Sequence, residues 1–247
     1  PELRVGGMQI FRSEAFDTMG KILPRAQTIA RQISLIYVAL TLLCMVVYVV
    51  LGMGLFDALV HALEAYLSNF ASDITDALAI KAMTLIINAL PKAYAQADNL
   101  SAREAMATGS LLAGLAFGNA GVGAVHALAY PLGGRYHISH GVSNALLLPH
   151  VMEVNKMACI ERFSDIAAAF GAPVHQLSHQ QAADYVLERL YTLCSDVNIP
   201  ARLRDLNIPE ADLPQLAEEA FGVKRLLRNN PRDLSVSEIL GIYQAAY

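Results

Sequence analysis

The chain has 247 residues, of which 55% are hydrophobic and only 16% charged, and its mean hydropathy is +0.39. That length holds one large domain or two small ones. The net charge of −4 offers no basic field and excludes nucleic acid as a partner, while the greasy composition calls for a search for a membrane span.

The chain begins at Pro1, with no initiator methionine and no secretory leader, and reads as a point inside a longer coding sequence. From Ile33 to Phe56 it runs ISLIYVALTLLCMVVYVVLGMGLF, without one charged side chain. That is long enough to cross a bilayer as a helix. Its apolar residues cover every face, so either a fully buried core helix or a transmembrane helix fits. Arg4, Arg12, Lys21, Arg25 and Arg31 precede it and favour the cytoplasmic side for that flank. The strings LRVGGMQIFRSE, KILPRAQTIARQISLIYVALTLLC and GMGLFDALVHA, spanning about residues 1–62, resemble the interior of a TrkH-type bacterial potassium-uptake transporter. No pore loop of that family is present, so no selectivity filter can be assigned. The expected organisation is a transporter-like segment over 1–56, with a hydrophobic helix and a membrane contact at 33–56, followed by a helical domain over 57–247.

At Asp57 the character changes. Leu59, Leu63 and Leu67 form one helical stripe; Leu78, Met83, Leu85, Ile86 and Leu90 form a second, which the sequence predicts to stop at Pro91. Residues 101–117 read as a helix rich in Ala, Leu and Met. Gly118, Gly121 and Gly123 follow it and predict a tight turn or close helix packing. No strand pattern precedes these glycines, which argues against a dinucleotide fingerprint.

The chemistry gathers in two places. Asp57 and His61 stand one turn apart on one helix face. The stretch 118–150, GNAGVGAVHALAYPLGGRYHISHGVSNALLLPH, holds His126, His137, His140 and His150. Asp57, His61, His126 and His140 together make a one-carboxylate, three-histidine set suited to Fe(II) or Zn(II). His137 lies close enough to line a cleft but reads as exposed, and His150, after Pro149, reads as packing or capping. Tyr130 either orients substrate or cofactor or packs before Pro131.

Beyond residue 150, RFSDIAAAFGA predicts a helix ending at Gly171. Ser178 caps the next helix, His175 and His179 read as surface residues despite their spacing, and Asp233 or Ser235 caps the last helix. Cys44, Cys159 and Cys194 match no zinc or redox spacing and read as buried thiols in a reducing compartment. The expected fold is an all-α bundle.

The strings DALVHALEAY, GAVHALAYPLGG, HGVSNALLLPHVMEVN, RLRDLNIPEADLPQLAEEA and NNPRDLS occur in this order, and from Asp57 to Tyr247 the chain resembles the C-terminal half of the iron-containing alcohol dehydrogenases. The resemblance implies the dehydroquinate synthase-like helical domain of that family and a cytoplasmic, homo-oligomeric oxidoreductase acting on a small alcohol or aldehyde. It also implies a divalent metal, Fe(II) before Zn(II), held by Asp57, His61, His126 and His140, with NAD(P) as hydride carrier. Some relatives place a further histidine where Tyr130 stands, which makes Tyr130 the candidate cofactor-binding residue. Members of the family have an additional α/β domain with a glycine-rich loop for the cofactor pyrophosphate. No such loop or strand–helix alternation precedes Asp57, so this chain is expected to be weakly active or inactive by itself.

Overall fold

A computed structural model describes residues 54–247. The transporter-like segment and nearly all of the hydrophobic run 33–56 lie outside those residues. Among the described residues the chain is all α, with short 3-10 turns and no strand. The helices are α1 (Leu55–Leu67), α2 (Asp73–Ala95), α3 (Leu100–Ala120), α4 (Ala124–Tyr136), α5 (His140–Asn155), α6 (Ile160–Ala169), α7 (His179–Asp196), α8 (Leu213–Gly222), α9 (Lys224–Leu227) and α10 (Val236–Ala245).

Helix α1 is the axis. Every one of its 13 residues is buried except His61. The leucine stripe seen in the sequence is therefore only part of its contact surface: α2, α3 and α5 all pack on it. Leu59 and Leu63 are fully covered, each contributing about 1.5–3 kcal/mol of apolar burial. Helix α3 meets its neighbours through Ala102, Met106, Gly109, Ala113, Ala116 and Ala120, a mostly small-residue stripe at alternating three- and four-residue spacing. The approach is close: a Cβ on Gly109 would stand 2.6 Å from Ile86 Cγ1.

Helix α2 does not stop at Pro91 but continues to Ala95. Proline removes one backbone hydrogen bond and crowds the preceding turn. Here the buried face formed by Ile86, Ile87, Ala89, Leu90 and Ala93 runs past the proline, and packing outweighs that local loss. Pro131 and Pro149 likewise lie inside α4 and α5. Taken singly, α2 alone among the described helices is long and apolar enough to cross a membrane, and core helices pass the same test.

Other ends form as the sequence predicts. Ser178 and Ser235 close capping boxes with Gln181 and Glu238. Gly171 takes φ +92° beyond α6, as a left-handed helix end favours. Arg162 staples α6 to the core: its Nη2 donates to Tyr66 O (2.5 Å) and Asp76 Oδ1 (2.7 Å), and its guanidinium lies 3.9 Å from the Tyr66 ring centroid.

The C-terminal NNPRDLS string is a clamp. Asn229 Nδ2 donates to Val122 O at 2.8 Å. Asn230 and Asn155 exchange two amide hydrogen bonds of 2.8 Å each, and Asn230 Oδ1 also accepts from Ala124 N–H. All three asparagines are buried. Asn230→Ala strands the Ala124 amide and both halves of the Asn155 side chain. At roughly 1–3 kcal/mol for each buried group left unpaired, the expected loss is about 3 kcal/mol. Urea denaturation of the variant measures it; a loss below about 1 kcal/mol would show that the clamp contributes little.

Candidate metal centre

Two carboxylates and one imidazole share a face of α1: Asp57, His61 one turn on, and Glu64 two turns on. The turn into α4 is made by Gly121, in the left-handed region at φ +79°, and by Gly123. A Cβ on Gly123 would meet Asn230 Oδ1 at 3.2 Å and Glu64 Oε1 at 3.4 Å, so a bare backbone is what lets the start of α4 settle on Glu64. Glu64 Oε1 then accepts the Val125 N–H at 2.7 Å, and Oε2 meets His126 Nδ1 at 2.5 Å. After α4, His137 adopts a left-handed conformation (φ 55°) and reverses the chain, bringing His140 to the first turn of α5.

His61, His126 and His140 aim their Nε2 atoms at one carboxylate. The distances to Asp57 are 3.9, 3.9 and 3.7 Å, too long for direct hydrogen bonds. One ligand atom from each of the four residues lies within 4.8 Å of all the others. Donors about 2.1 Å from a shared tetrahedral ion stand about 3.4 Å apart, so the set is slightly expanded but convergent. Asn144 Nδ2 sits inside it, 2.6 Å from Asp57 Oδ1, 3.2 Å from His126 Nε2 and 3.0 Å from His140 Nε2. Its own Oδ1 is buried with no hydrogen-bond partner. A lone amide donor surrounded by ligand atoms, with its oxygen orphaned, marks where a cation would fit.

The surroundings hold the rings in place. His61 stacks on Phe117 (centroids 4.1 Å) and on His126 (4.8 Å). With Glu64 accepting the Nδ1 proton, His126 presents the Nε2 lone pair to the centre. Burial alone would lower the His126 pKa, but the Glu64 charge and hydrogen bond, with Asp57 behind them, hold it above its ordinary value. His61 is pushed down to about 4 by burial, which outweighs the upward pull of Asp57 and Glu64; His126 and His140 add smaller downward contributions. His140 is also lowered, chiefly by burial. For Asp57, burial acts upward, yet the three imidazoles and Asn144 together bring its carboxyl below the usual range.

The centre floors a cleft of about 620 Å³ lined by His61, His126, His140, Phe117, Tyr130 and the α9 segment. Tyr130 is 43% exposed, its ring centroid 6.3 Å from that of His140. The remaining histidines stand apart. His137 is exposed at its turn, and His175 and His179 are on the surface, with His179 Nδ1 2.8 Å from Ser164 Oγ. His150 packs edge-on to Tyr191. Of the two described cysteines, burial pushes Cys159 up to about 11 and Cys194 up to about 12, so both remain thiols at neutral pH. Glu64 and Asn144 were not singled out by the sequence reading. The signal was present, since Glu64 continues the Asp57–His61 face by one more turn and Asn144 stands one turn beyond His140.

Comparison with known proteins covers the same part of the chain. Residues 52–247 match the family described as Fe-containing alcohol dehydrogenase, C-terminal. Long-chain-alcohol dehydrogenase 1 of Geobacillus thermodenitrificans is 48% identical over 191 residues, covering 77% of this chain and 48% of that protein. The 1,3-propanediol dehydrogenase of Citrobacter freundii is 47% identical over 191 residues, 77% of this chain and 49% of its own. A crystal structure of 1,3-propanediol oxidoreductase superposes with a TM-score of 0.77 at 45% identity, over 79% of this chain and 51% of that one. The chain thus spans about half the length of the relatives it matches, and over that span it belongs to the C-terminal domain family of the Fe-containing alcohol dehydrogenases.

Proposed function

We propose that residues 57–247 are the metal-holding domain of an alcohol dehydrogenase that moves a hydride between a small alcohol or aldehyde and NAD(P). Asp57, His61, His126 and His140 are the ligands in this reading, Fe(II) by family and Zn(II) by the same donor chemistry. The observation that carries it is the convergence of those four ligand atoms around the Asn144 amide, with Asn144 Oδ1 left unpartnered. A divalent ion with an open position lowers the pKa of an alcohol hydroxyl or polarises a carbonyl.

The chain's own residues have separable tasks. Glu64 fixes the His126 tautomer and ring angle. Phe117 holds His61 flat against His126, and the buried residues of α1 around Asp57 keep water from the carboxylate side of the centre. Tyr130, at the cleft wall, borders the space in which alcohol carbon and nicotinamide would meet. In this reading the dinucleotide is held mainly from outside residues 57–247. The identities of relatives such as lactaldehyde reductase of Escherichia coli, 40% identical, point to small alcohols and aldehydes as the substrate class.

Metal analysis tests the assignment. The chain reconstituted with Fe(II) or Zn(II) is expected to retain one ion per chain after desalting, and Asp57→Asn or the His126→Ala/His140→Ala double variant to lose it while far-ultraviolet circular dichroism is unchanged. Full retention by the double variant would refute the ligand set. Glu64→Gln keeps all four ligands and is expected to weaken metal affinity about 10–100-fold through the misoriented His126, measured by competition with a chromophoric chelator.

The pH dependence of the metal-free chain follows from His61. Its folded pKa, about 4, lies below the ordinary 6.5. Its contribution to stability is therefore present above pH 6.5 and is lost as pH falls toward 4, where the unfolded chain takes the proton first. His126, shifted upward, acts in the opposite sense: its contribution is present below 6.5 and fades as pH rises through its folded value. Comparing urea midpoints of the wild type and His61→Phe isolates the first effect. The variant, whose ring keeps the stack on Phe117, is expected to lose less stability between pH 6.5 and 4; parallel curves would contradict the depressed His61.

A further inference from the structure

The same cleft carries basic side chains as well as the imidazoles. Arg225 and Arg228 both line it, together with His61, His126 and His140, and no carboxylate does. This occurs in a chain whose net charge is −4. Both arginines are exposed, and among the described residues neither guanidinium is paired with a carboxylate. They stand three residues apart on the α9 turn, so they share one side, while the intervening Leu226 and Leu227 are buried.

The turn is held from below. Asn69 Nδ2 donates to Arg228 O at 3.3 Å and to Asn230 O at 2.7 Å, and Asn229 is tied to Val122. The Arg228 guanidinium lies 5.7 Å from the ring centroid of Phe70, another lining residue. Two unpaired guanidiniums on a fixed turn form a preorganised receptor for a carboxylate, sulfonate or phosphate. Low-dielectric walls lined by one sign of charge also concentrate anions in the cleft.

We infer that the substrate of this cleft is bifunctional: its hydroxyl or aldehyde carbon meets the imidazole end, and an anionic group at its other end is bound by Arg225 and Arg228. This rests on the dehydrogenase reading and narrows its substrate class to acidic alcohols and aldehydes, such as ω-hydroxycarboxylates. Both ends lie in one cavity of about 620 Å³, a size suited to one small molecule. A phosphate of the dinucleotide is the rival source of negative charge.

Calorimetric binding of ω-hydroxycarboxylates, from glycolate upward, against the diols of equal chain length separates the cases. It is run on the full chain, metal-free and Zn(II)-loaded, for the wild type and the Arg225→Gln/Arg228→Gln double variant. At least one chain length is expected to favour the hydroxycarboxylate about tenfold in both metal states, as two exposed charge pairs would give. That preference should vanish in the double variant with metal content unchanged. Equal binding of acid and diol by the wild type, or a preference that survives the double substitution, overturns the inference. So does a double variant that weakens ADP-ribose but leaves the acid-to-diol ratio intact, which would assign the arginines to the cofactor. A chain that takes up no Zn(II) yet keeps the arginine-dependent preference sinks the dehydrogenase reading and leaves the anion-binding rim standing.

Discussion

Two carboxylates inside a covered helix set the terms for everything around them. Asp57 and Glu64 are 1% and 4% exposed on α1, and an ionised carboxylate taken from water is costly unless donors or opposite charge surround it. Glu64 is satisfied by the Val125 amide of α4 and by His126. This explains a helix start that has no side-chain cap of its own: Glu64 and Asn230 accept the Val125 and Ala124 N–H groups from outside, and the positive end of the α4 dipole faces the glutamate. Asp57 accepts a short side-chain hydrogen bond from Asn144, and the three imidazoles stand 3.7–3.9 Å from it.

That difference between the two acids separates a structural role from a chemical one. Glu64 has a partner at hydrogen-bond distance for each oxygen and acts by orienting His126. Asp57 faces three ring nitrogens at 3.7–3.9 Å, wider than a direct hydrogen bond. A divalent cation among them would neutralise the two carboxylates together and would remove the need for His126 to retain its second proton. The same electrostatics that raises His126 in the metal-free chain thus favours exchange of a proton for a metal ion.

The sequence carried the candidate ligand set because each member belongs to a short local pattern. Asp57 and His61 are one helical turn apart, and His126 and His140 each sit at the start of a glycine- or turn-bounded piece. The same periodicity held Glu64 and Asn144, unremarked. Helix limits were less legible wherever burial competed with local rules. Local rules make Pro91 a stop, and the chain instead carries an apolar face across it. The leucine stripe of α1 predicted one contact face, whereas the helix is enclosed by three others, a property set by where its neighbours fall rather than by its own spacing. Arg225 and Arg228 had no local signal at all, since only the folded chain brings α9 against a site whose residues lie far upstream, between Asp57 and His140.

What brings it there is the asparagine clamp, which makes the metal centre and the cleft wall parts of one unit. Asn229 holds Val122, in the turn whose glycines admit α4 to Glu64, and Asn230 holds the first amide of α4 itself. The same two residues directly follow Arg228, and Asn69, just past the end of α1, is bonded to the Arg228, Asn229 and Asn230 carbonyls. A displacement of the clamp would therefore shift His126 relative to Asp57 and move the guanidiniums relative to the imidazoles together. Because close-packed interiors pass strain on rather than absorb it, the spacing between the imidazoles and the guanidiniums is governed by three buried asparagines.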